Sequence, residues 1–210
     1  MFEAYIGLLL LCLCVYLINR KKLPSYFIYL GWLIVAVLLT EVVSRYIDSI
    51  GINTNPLDHL YQLLEIWLLS LAYYHVLKNK KIRKIIITVL VLVSIVYPVS
   101  SFFLEGIYND CILSYLLNGI LIISLSLVFF QELYNDENPE MNILSHGFFW
   151  INCGNLIYYS GSFFQMGLNT YIRDFNPELA AQLKSIGHVL NYFLYATYLI
   201  GFLCIKKQKS

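Results

Sequence analysis

Polar side chains that could bind a ligand or move a proton recur along one face of the segment that follows Pro56. Asp58, Gln62 and Glu65 lie at positions i, i+4 and i+7, and His59 stands beside the first of them. This spacing places side chains on one face of a helix. The rest of the segment is largely apolar, where a carboxylate is costly unless it is protonated or paired. We therefore interpret Glu65, the deepest carboxylate, either as a ligand or proton site or as a structural group that is protonated or bonded to an amide.

The preceding apolar segment carries an acid and a base one helical turn apart. Glu41 precedes Arg45 by four residues, which is the order that favours an ion pair on one helix face. The pair either contributes to a polar site or is an interfacial ion pair whose arginine extends towards water.

The segment that begins at Gly147 combines polar and small residues at helical spacing. Asn155 and Tyr159 belong to its polar stripe, and Gly147, Gly154 and Gly161 recur every seven residues. A row of small residues allows two helices to approach closely. We therefore predict a close helix contact here, and a polar stripe that either hydrogen-bonds between helices or lines a site.

The last apolar segment has a continuous polar face. Its members follow one another at intervals of four, three, four and three residues: Lys184, His188, Asn191, Tyr195 and Tyr198. Such a stripe is costly against lipid, so it is predicted to face protein or water.

These polar faces form one outward-facing pocket if the second, third, sixth and seventh apolar segments are neighbours. Segments that follow one another along the chain are usually adjacent, whereas the contact between the two pairs is an assumption. On this assumption, the predicted ligand-binding residues are Glu41, Arg45, His59, Gln62, Glu65, Asn155, Tyr159, His188, Asn191 and Tyr195.

The elements that position these residues follow from the composition. The chain has 210 residues, of which 59% are hydrophobic and 13% are charged, and its net charge is +1. Soluble domains are about 25% charged, so the composition argues against a soluble enzyme and against a disordered tail. The small net charge provides no basic field for nucleic acid. We predict an all-α polytopic membrane protein.

A transmembrane helix needs about 20 apolar residues, and seven apolar runs are predicted to form such helices. They form one predicted helical-bundle domain over residues 1–210, with runs at about 4–19, 25–45, 57–77, 84–104, 111–131, 147–168 and 181–205. Asn-Pro pairs at 55–56, 138–139 and 176–177 predict helix starts in which the asparagine is the N-cap. Pro98 lies inside the fourth run and is predicted to kink that helix near one end.

The basic residues predict the orientation of the bundle. Eleven of the 14 Lys and Arg residues follow the first, third and seventh runs, and cytoplasmic loops are rich in these residues. We therefore predict an N-terminus outside, a cytoplasmic C-terminus and a multi-pass protein of a bacterial inner (plasma) membrane. The basic loop 78–84 and the acidic loop 132–146 are then cytoplasmic, and they either dock a protein partner or are solvated.

No cofactor is predicted for the chain. A divalent metal is a minor alternative, because the sequence has no HExxH or HxxxH spacing and the ligands would have to come from different helices. No GxSxG motif is present. Retinal is rejected, because Lys184 is the only candidate lysine and lies about 12 Å from the midpoint of the last helix at the α-helical rise.

The chain resembles small, stand-alone seven-span bacterial membrane proteins of unassigned function, whose bundle is similar to the sensory region found ahead of signalling domains. This resemblance carries no catalytic motif and implies a sensory or ligand-binding bundle. The residues that carry it are Thr40-Glu41, Arg45, Asn53-Thr54-Asn55-Pro56, His59, Tyr61, Glu65 and Phe149-Trp150-Ile151-Asn152.

We therefore expect a receptor- or sensor-like membrane protein that binds a small molecule or lipid headgroup in an outward-facing pocket and acts through a partner. The alternatives are an intramembrane lipid-modifying hydrolase and an oligomeric channel or pore, such as an accessory of a stress or defence system. Membrane lipids are expected partners, nucleic acid is not, and the sequence leaves the oligomeric state open.

Overall fold

The computed structural model describes residues 2–135 and 143–204, and over these residues the protein is all-helical. The seven α-helices of this part of the chain are α1 (Phe2–Asn19), α2 (Phe27–Ser49), α3 (Asn55–Val76), α4 (Lys80–Val99), α5 (Ile112–Tyr134), α6 (Gly147–Phe175) and α7 (Pro177–Leu203). A π-helical turn, Ser100–Leu104, directly continues α4, and a 3-10 turn, Ile143–Ser145, precedes α6.

Each predicted apolar run coincides with one α-helix, which confirms the all-α fold. The largest difference is at α6, which continues beyond residue 168 to Phe175. Its end is set by backbone geometry and not by the end of the apolar run. Asn176 is extended, with φ −150° and ψ 90°, as a residue before proline prefers.

The Asn-Pro pairs begin helices in two different ways. Asn176 is the predicted N-cap, since its side chain accepts a hydrogen bond of 3.1 Å from the Leu179 amide of α7. The prediction for Asn55 is wrong, because Thr54 holds the N-cap position and Asn55 is the first residue of α3. Its side-chain amide donates instead to the Tyr108 carbonyl oxygen over 2.7 Å. The pair at 138–139 lies outside the described residues.

Four of the described helices are long and apolar enough to cross a membrane. They are Phe27–Ser49, Lys80–Leu104, Ile112–Tyr134 and Glu178–Leu203, and the apolar helix Glu3–Asn19 is shorter. The helices α3 and α6, which carry much of the predicted polar surface, are not in this set. The helical architecture is therefore that of a chain with several possible membrane spans, while the count of seven and the orientation stay predictions.

The chain divides into two compact units. A central unit contains residues 26–118, and a terminal unit contains residues 1–25 and 119–210. In the central unit α2 packs against α3, and α3 packs against α4. Leu30 and Ile34 of α2 and Ile66 of α3 are buried, and Trp67 Nε1 donates to Ser94 Oγ of α4 over 3.0 Å. These contacts hold α3 between its two sequence neighbours.

In the terminal unit α6 and α7 approach closely through glycines. A Cβ atom on Gly201 of α7 would lie 2.8 Å from the Gly147 carbonyl oxygen and 2.7 Å from Ile151 Cγ1 of α6. A Cβ atom on Gly154 would overlap Thr197 Oγ1. The predicted small-residue row is thus confirmed as a close helix contact. 

The helix α1 also packs against α7 and is joined to it by two polar contacts. The Cys12 thiol donates to the Tyr195 carbonyl oxygen over 3.2 Å, and Asn19 Nδ2 donates to the Phe202 carbonyl oxygen over 3.4 Å.

We expect Gly201→Ala to lower the thermal unfolding midpoint of the detergent-solubilised protein. The new methyl group would meet the Gly147 carbonyl oxygen, a backbone atom that cannot rotate away. Gly167→Ala is the matched control, because a Cβ atom there has nothing within 4 Å. Both changes gain the same helix propensity. The steric cost at Gly201 should therefore make the free energy of unfolding of Gly201→Ala about 1–3 kcal/mol lower than that of Gly167→Ala. Equal midpoints for the two variants would contradict the close packing of α6 on α7.

Candidate functional site

Three of the predicted site residues are buried on α3 at intervals of three residues. The exposed fractions of His59, Gln62 and Glu65 are 6%, 0% and 5%. Residues three apart are neighbours along a helix surface, so the three side chains form a continuous polar strip, which we call the α3 polar strip. Asp58 precedes this strip in the first turn of α3. Burial in a largely apolar unit means that each member of the strip needs a hydrogen-bond partner.

Gln62, the middle of the strip, is held by a buried amide from the start of α5. Asn118 Nδ2 donates to Gln62 Oε1 over 2.8 Å and to the Gln62 carbonyl oxygen over 3.1 Å. The Tyr97 hydroxyl of α4 donates to Asn118 Oδ1 and lies 3.0 Å from the Ser114 carbonyl oxygen. Gln62 Nε2 is buried and has no hydrogen-bond partner among the described residues. The Gln62 side chain is therefore fixed in place, with the two N–H donors of its amide nitrogen still to satisfy.

Glu65, one turn further along α3, is bonded within its own helix. The Tyr61 hydroxyl donates to Glu65 Oε1 over 2.9 Å, as an i, i+4 pair on one face can. This bond comes from a tyrosine, so the protonated form of Glu65, its bond to an amide and its role as a ligand contact all stay predictions.

His59, at the N-terminal end of the strip, contacts two groups that lie far away in sequence. Its Nε2 atom is 3.2 Å from the Asn109 carbonyl oxygen, and its Nδ1 atom is 2.8 Å from Ser101 Oγ. A carbonyl oxygen only accepts hydrogen bonds, so in the neutral imidazole Nε2 carries the proton. Nδ1 is then the acceptor, and the Ser101 hydroxyl donates to it.

The sequence interpretation did not identify Ser101 or Asn109 as site residues. They are separated from His59 by 42 and 50 residues, and the sequence has no motif that joins them. For Ser101, its position along the chain was a signal that could have been used. Ser101 closely follows Pro98 at the end of the fourth apolar run, which is the end predicted to lie at the same membrane face as His59.

The two α2 residues of the predicted site differ in burial from the α3 polar strip. Glu41 is half-buried and Arg45 is exposed, one turn apart on the same helix. Their part in ligand binding stays a prediction. The alternative interpretation, an interfacial ion pair whose arginine extends towards water, stays a prediction as well.

The other five predicted residues belong to the terminal unit and fall into two groups. Asn155, Tyr159 and Tyr195 are buried, and Asn155 Oδ1 accepts a hydrogen bond of 2.8 Å from the Tyr198 hydroxyl. This bond joins α6 to α7, as the packing interpretation predicts. In contrast, His188 is exposed and Asn191 is half-buried. The polar face of α7 therefore changes along its length from a packed end to an open end.

The two predicted partner loops are shorter than the sequence indicates. Residues 80–84 of the basic loop form the first turn of α4, because the Asn79 side chain accepts from the Lys81 amide over 2.9 Å and caps the helix. In the acidic loop, α5 continues to Tyr134 and a 3-10 turn covers Ile143–Ser145, while residues 136–142 lie outside the described part.

No protein-family model, no curated protein and no solved structure matches this chain. In residues 2–135 and 143–204, no group of three or more His, Cys, Asp or Glu side chains is arranged to hold a metal ion. What the central unit does bring together is an amide donor on Gln62, a buried carboxyl on Glu65 and a serine–histidine pair. These groups can bind a polar ligand and can activate a hydroxyl group.

Proposed function

We propose that this chain is an integral membrane protein with seven spans, an outside N-terminus and a cytoplasmic C-terminus, and that the α3 polar strip binds a small molecule or a lipid headgroup. Four helices of sufficient length and apolar character support membrane insertion, and the distribution of Lys and Arg supports the orientation. In this topology the His59 end of α3 lies towards the outside. A bacterial inner membrane is the location that we propose.

The observation that carries the binding proposal is the buried amide nitrogen of Gln62. It has no hydrogen-bond partner among the described residues, and the side chain has an exposed fraction of 0%. An unsatisfied buried donor costs about 1–3 kcal/mol, and such groups are rare in native proteins. A ligand that places an acceptor atom at Nε2 would remove this cost. We therefore propose a ligand with a carbonyl, carboxylate or phosphate oxygen.

Glu65 and His59 define what else the ligand would contain. Both are buried on the same strip as Gln62, at one turn or less from it. A carboxylate favours a cationic or hydrogen-bond-donating group nearby. The strip therefore fits a ligand that carries an acceptor and a donor close together, as a zwitterionic lipid headgroup or a small polar metabolite does.

We further propose that the protein acts through a partner at the opposite end of α3. There Arg83 Nε of α4 donates to the Leu77 carbonyl oxygen directly after α3, which couples the two helices. Lys80, Lys81 and Lys84 are exposed in the same turn. In the proposed topology this turn is cytoplasmic, where exposed lysines attract an acidic protein surface or anionic lipid headgroups.

Native mass spectrometry of the detergent-extracted protein tests the binding proposal. The wild-type protein should retain a small molecule or lipid as a mass adduct. Gln62→Met removes the amide donor and keeps the length of the side chain, so the retained fraction should fall about tenfold, as expected for the loss of one hydrogen bond. Gln131→Met, an exposed position on α5, is the control and should retain the adduct.

Two outcomes would refute the binding proposal: a wild-type protein without any adduct, or equal retention by wild type and Gln62→Met. The thermal unfolding midpoint of each variant, measured in the same detergent, shows that a lost adduct does not reflect a lost fold.

Reporter fusions at two positions test the proposed topology. A fusion after Asn53 should report the outside, and a fusion after Asn138 should report the cytoplasm, because three proposed spans separate them. If both fusions reported the same side, one of α3, α4 and α5 would not cross the membrane and the seven-span topology would be wrong.

A further inference from the structure

The serine–histidine contact between α3 and the π-helical turn has the geometry of an activated nucleophile. Ser101 Oγ lies 2.8 Å from His59 Nδ1, and both residues are buried, with exposed fractions of 7% and 6%. A serine hydroxyl is a weak nucleophile until a neighbouring base accepts its proton. The hydrogen-bond distance between nucleophile and base is the recognised sign of this arrangement.

The second nitrogen of His59 is held so that the first can act as the base. Nε2 lies 3.2 Å from the Asn109 carbonyl oxygen, which can only accept a hydrogen bond. This contact orients the ring and places the proton on Nε2, leaving the lone pair of Nδ1 towards Ser101. In serine hydrolases a carboxylate on the far nitrogen has this orienting role, and here a backbone carbonyl takes that place.

The π-helical turn distinguishes Ser101 from its neighbour Ser100. Both serines are buried, but the Ser100 hydroxyl donates to Glu105 Oε2 over 3.1 Å. Glu105 is itself held by the Leu113 amide, which donates to Oε1 over 2.7 Å. The wider turn therefore directs one hydroxyl to a fixed carboxylate and the next to an imidazole. Single π-helical turns are frequent at functional sites.

The residues that follow Ser101 in the sequence are apolar and exposed. Phe102, Phe103 and Leu104 follow directly, with exposed fractions of 63%, 82% and 73%. In a membrane these exposed side chains would lie against lipid, so acyl chains would lie next to the turn that carries the serine. An ester at the junction of acyl chain and headgroup is then the electrophile at the right depth.

We propose that Ser101 is a nucleophile and His59 its general base, and that together they hydrolyse an acyl ester of a membrane lipid. Ser101 Oγ attacks the ester carbonyl carbon while its proton passes to His59 Nδ1. The tetrahedral intermediate collapses, the carbon–oxygen bond to the alcohol breaks, and the departing oxygen takes the proton from Nδ1. Water, activated in the same way, then cleaves the acyl–Ser101 ester to a carboxylic acid and restores the serine.

A fluorophosphonate probe on the full-length, detergent-solubilised protein tests the nucleophile. The probe phosphonylates an activated serine with loss of fluoride, so the intact mass of the wild-type protein should show one adduct. Ser101→Ala should abolish the adduct. Ser100→Ala is the matched control, since Ser100 is equally buried but bonded to a carboxylate, and it should be labelled as the wild type is. His59→Gln should slow labelling about 100-fold, the lower range for the loss of a general base.

Peptide mapping of the labelled wild-type protein keeps this test independent of how well the variants fold. The adduct should lie on Ser101. No adduct on the wild-type protein, or an adduct on any other residue, would overturn the proposal and leave the Ser101–His59 contact as a structural bond between α3 and the π-helical turn.

Release of fatty acid from phosphatidylglycerol in mixed micelles tests the substrate class. The wild type and Ser100→Ala should release fatty acid, and Ser101→Ala should not. The absence of release by the wild-type protein would overturn the assignment to lipid esters. His59 also belongs to the α3 polar strip, so two readouts on the wild-type protein keep the proposals apart: labelling of Ser101 without a native-mass adduct would uphold the nucleophile and refute ligand binding, and an adduct without labelling would do the reverse.

Discussion

A buried polar group in an apolar helix bundle needs a partner, and this constraint shapes the central unit around α3. Removing such a polar group from water without a hydrogen bond costs about 2–7 kcal/mol, so each of the three residues of the strip needs a partner, and His59 and Gln62 take theirs from other elements. His59 is hydrogen-bonded by the Asn109 carbonyl oxygen and by Ser101. Asn118 hydrogen-bonds Gln62, and Tyr61 hydrogen-bonds Glu65. The π-helical turn after α4 and the start of α5 are held where they supply these groups. The Gln62 amide nitrogen is the place where this set of partners is incomplete among the described residues, which is why the binding proposal begins there.

In the terminal unit the main constraint is the close packing of α6 on α7, and glycines make it possible. There α6 and α7 can approach closely because Gly154 and Gly201 have no side chains. Polar residues such as Asn155 form hydrogen bonds between the two helices. Polar stripes of similar appearance in the sequence therefore have different roles. On α3 the stripe leaves an amide donor available, whereas on α6 it joins two helices.

The sequence was sufficient to predict the helices and part of the site. Apolar runs predicted all seven helices, and helical spacing predicted that Gln62 and Glu65 share a buried face of α3. The Ser101–His59 contact was not predictable, because it depends on a local π-helical turn and joins residues 42 apart. The helix start at Asn55 was mispredicted because its side chain bonds to Tyr108, a tertiary partner that replaces the local cap. Convergence of the four polar helices stays a prediction, as it depends on packing that periodicity does not encode.

The central claim is that the buried Gln62 amide faces a bound ligand. An experimental density map of the wild-type protein in a lipid nanodisc, at a resolution that shows side chains, tests it most directly. The account predicts density that is neither protein nor a single water molecule, with an atom about 3 Å from Gln62 Nε2, the length of an ordinary N–H···O hydrogen bond. Density for protein atoms alone around Nε2, or a Gln62 amide that is rotated and bonded to another side chain, would contradict the account.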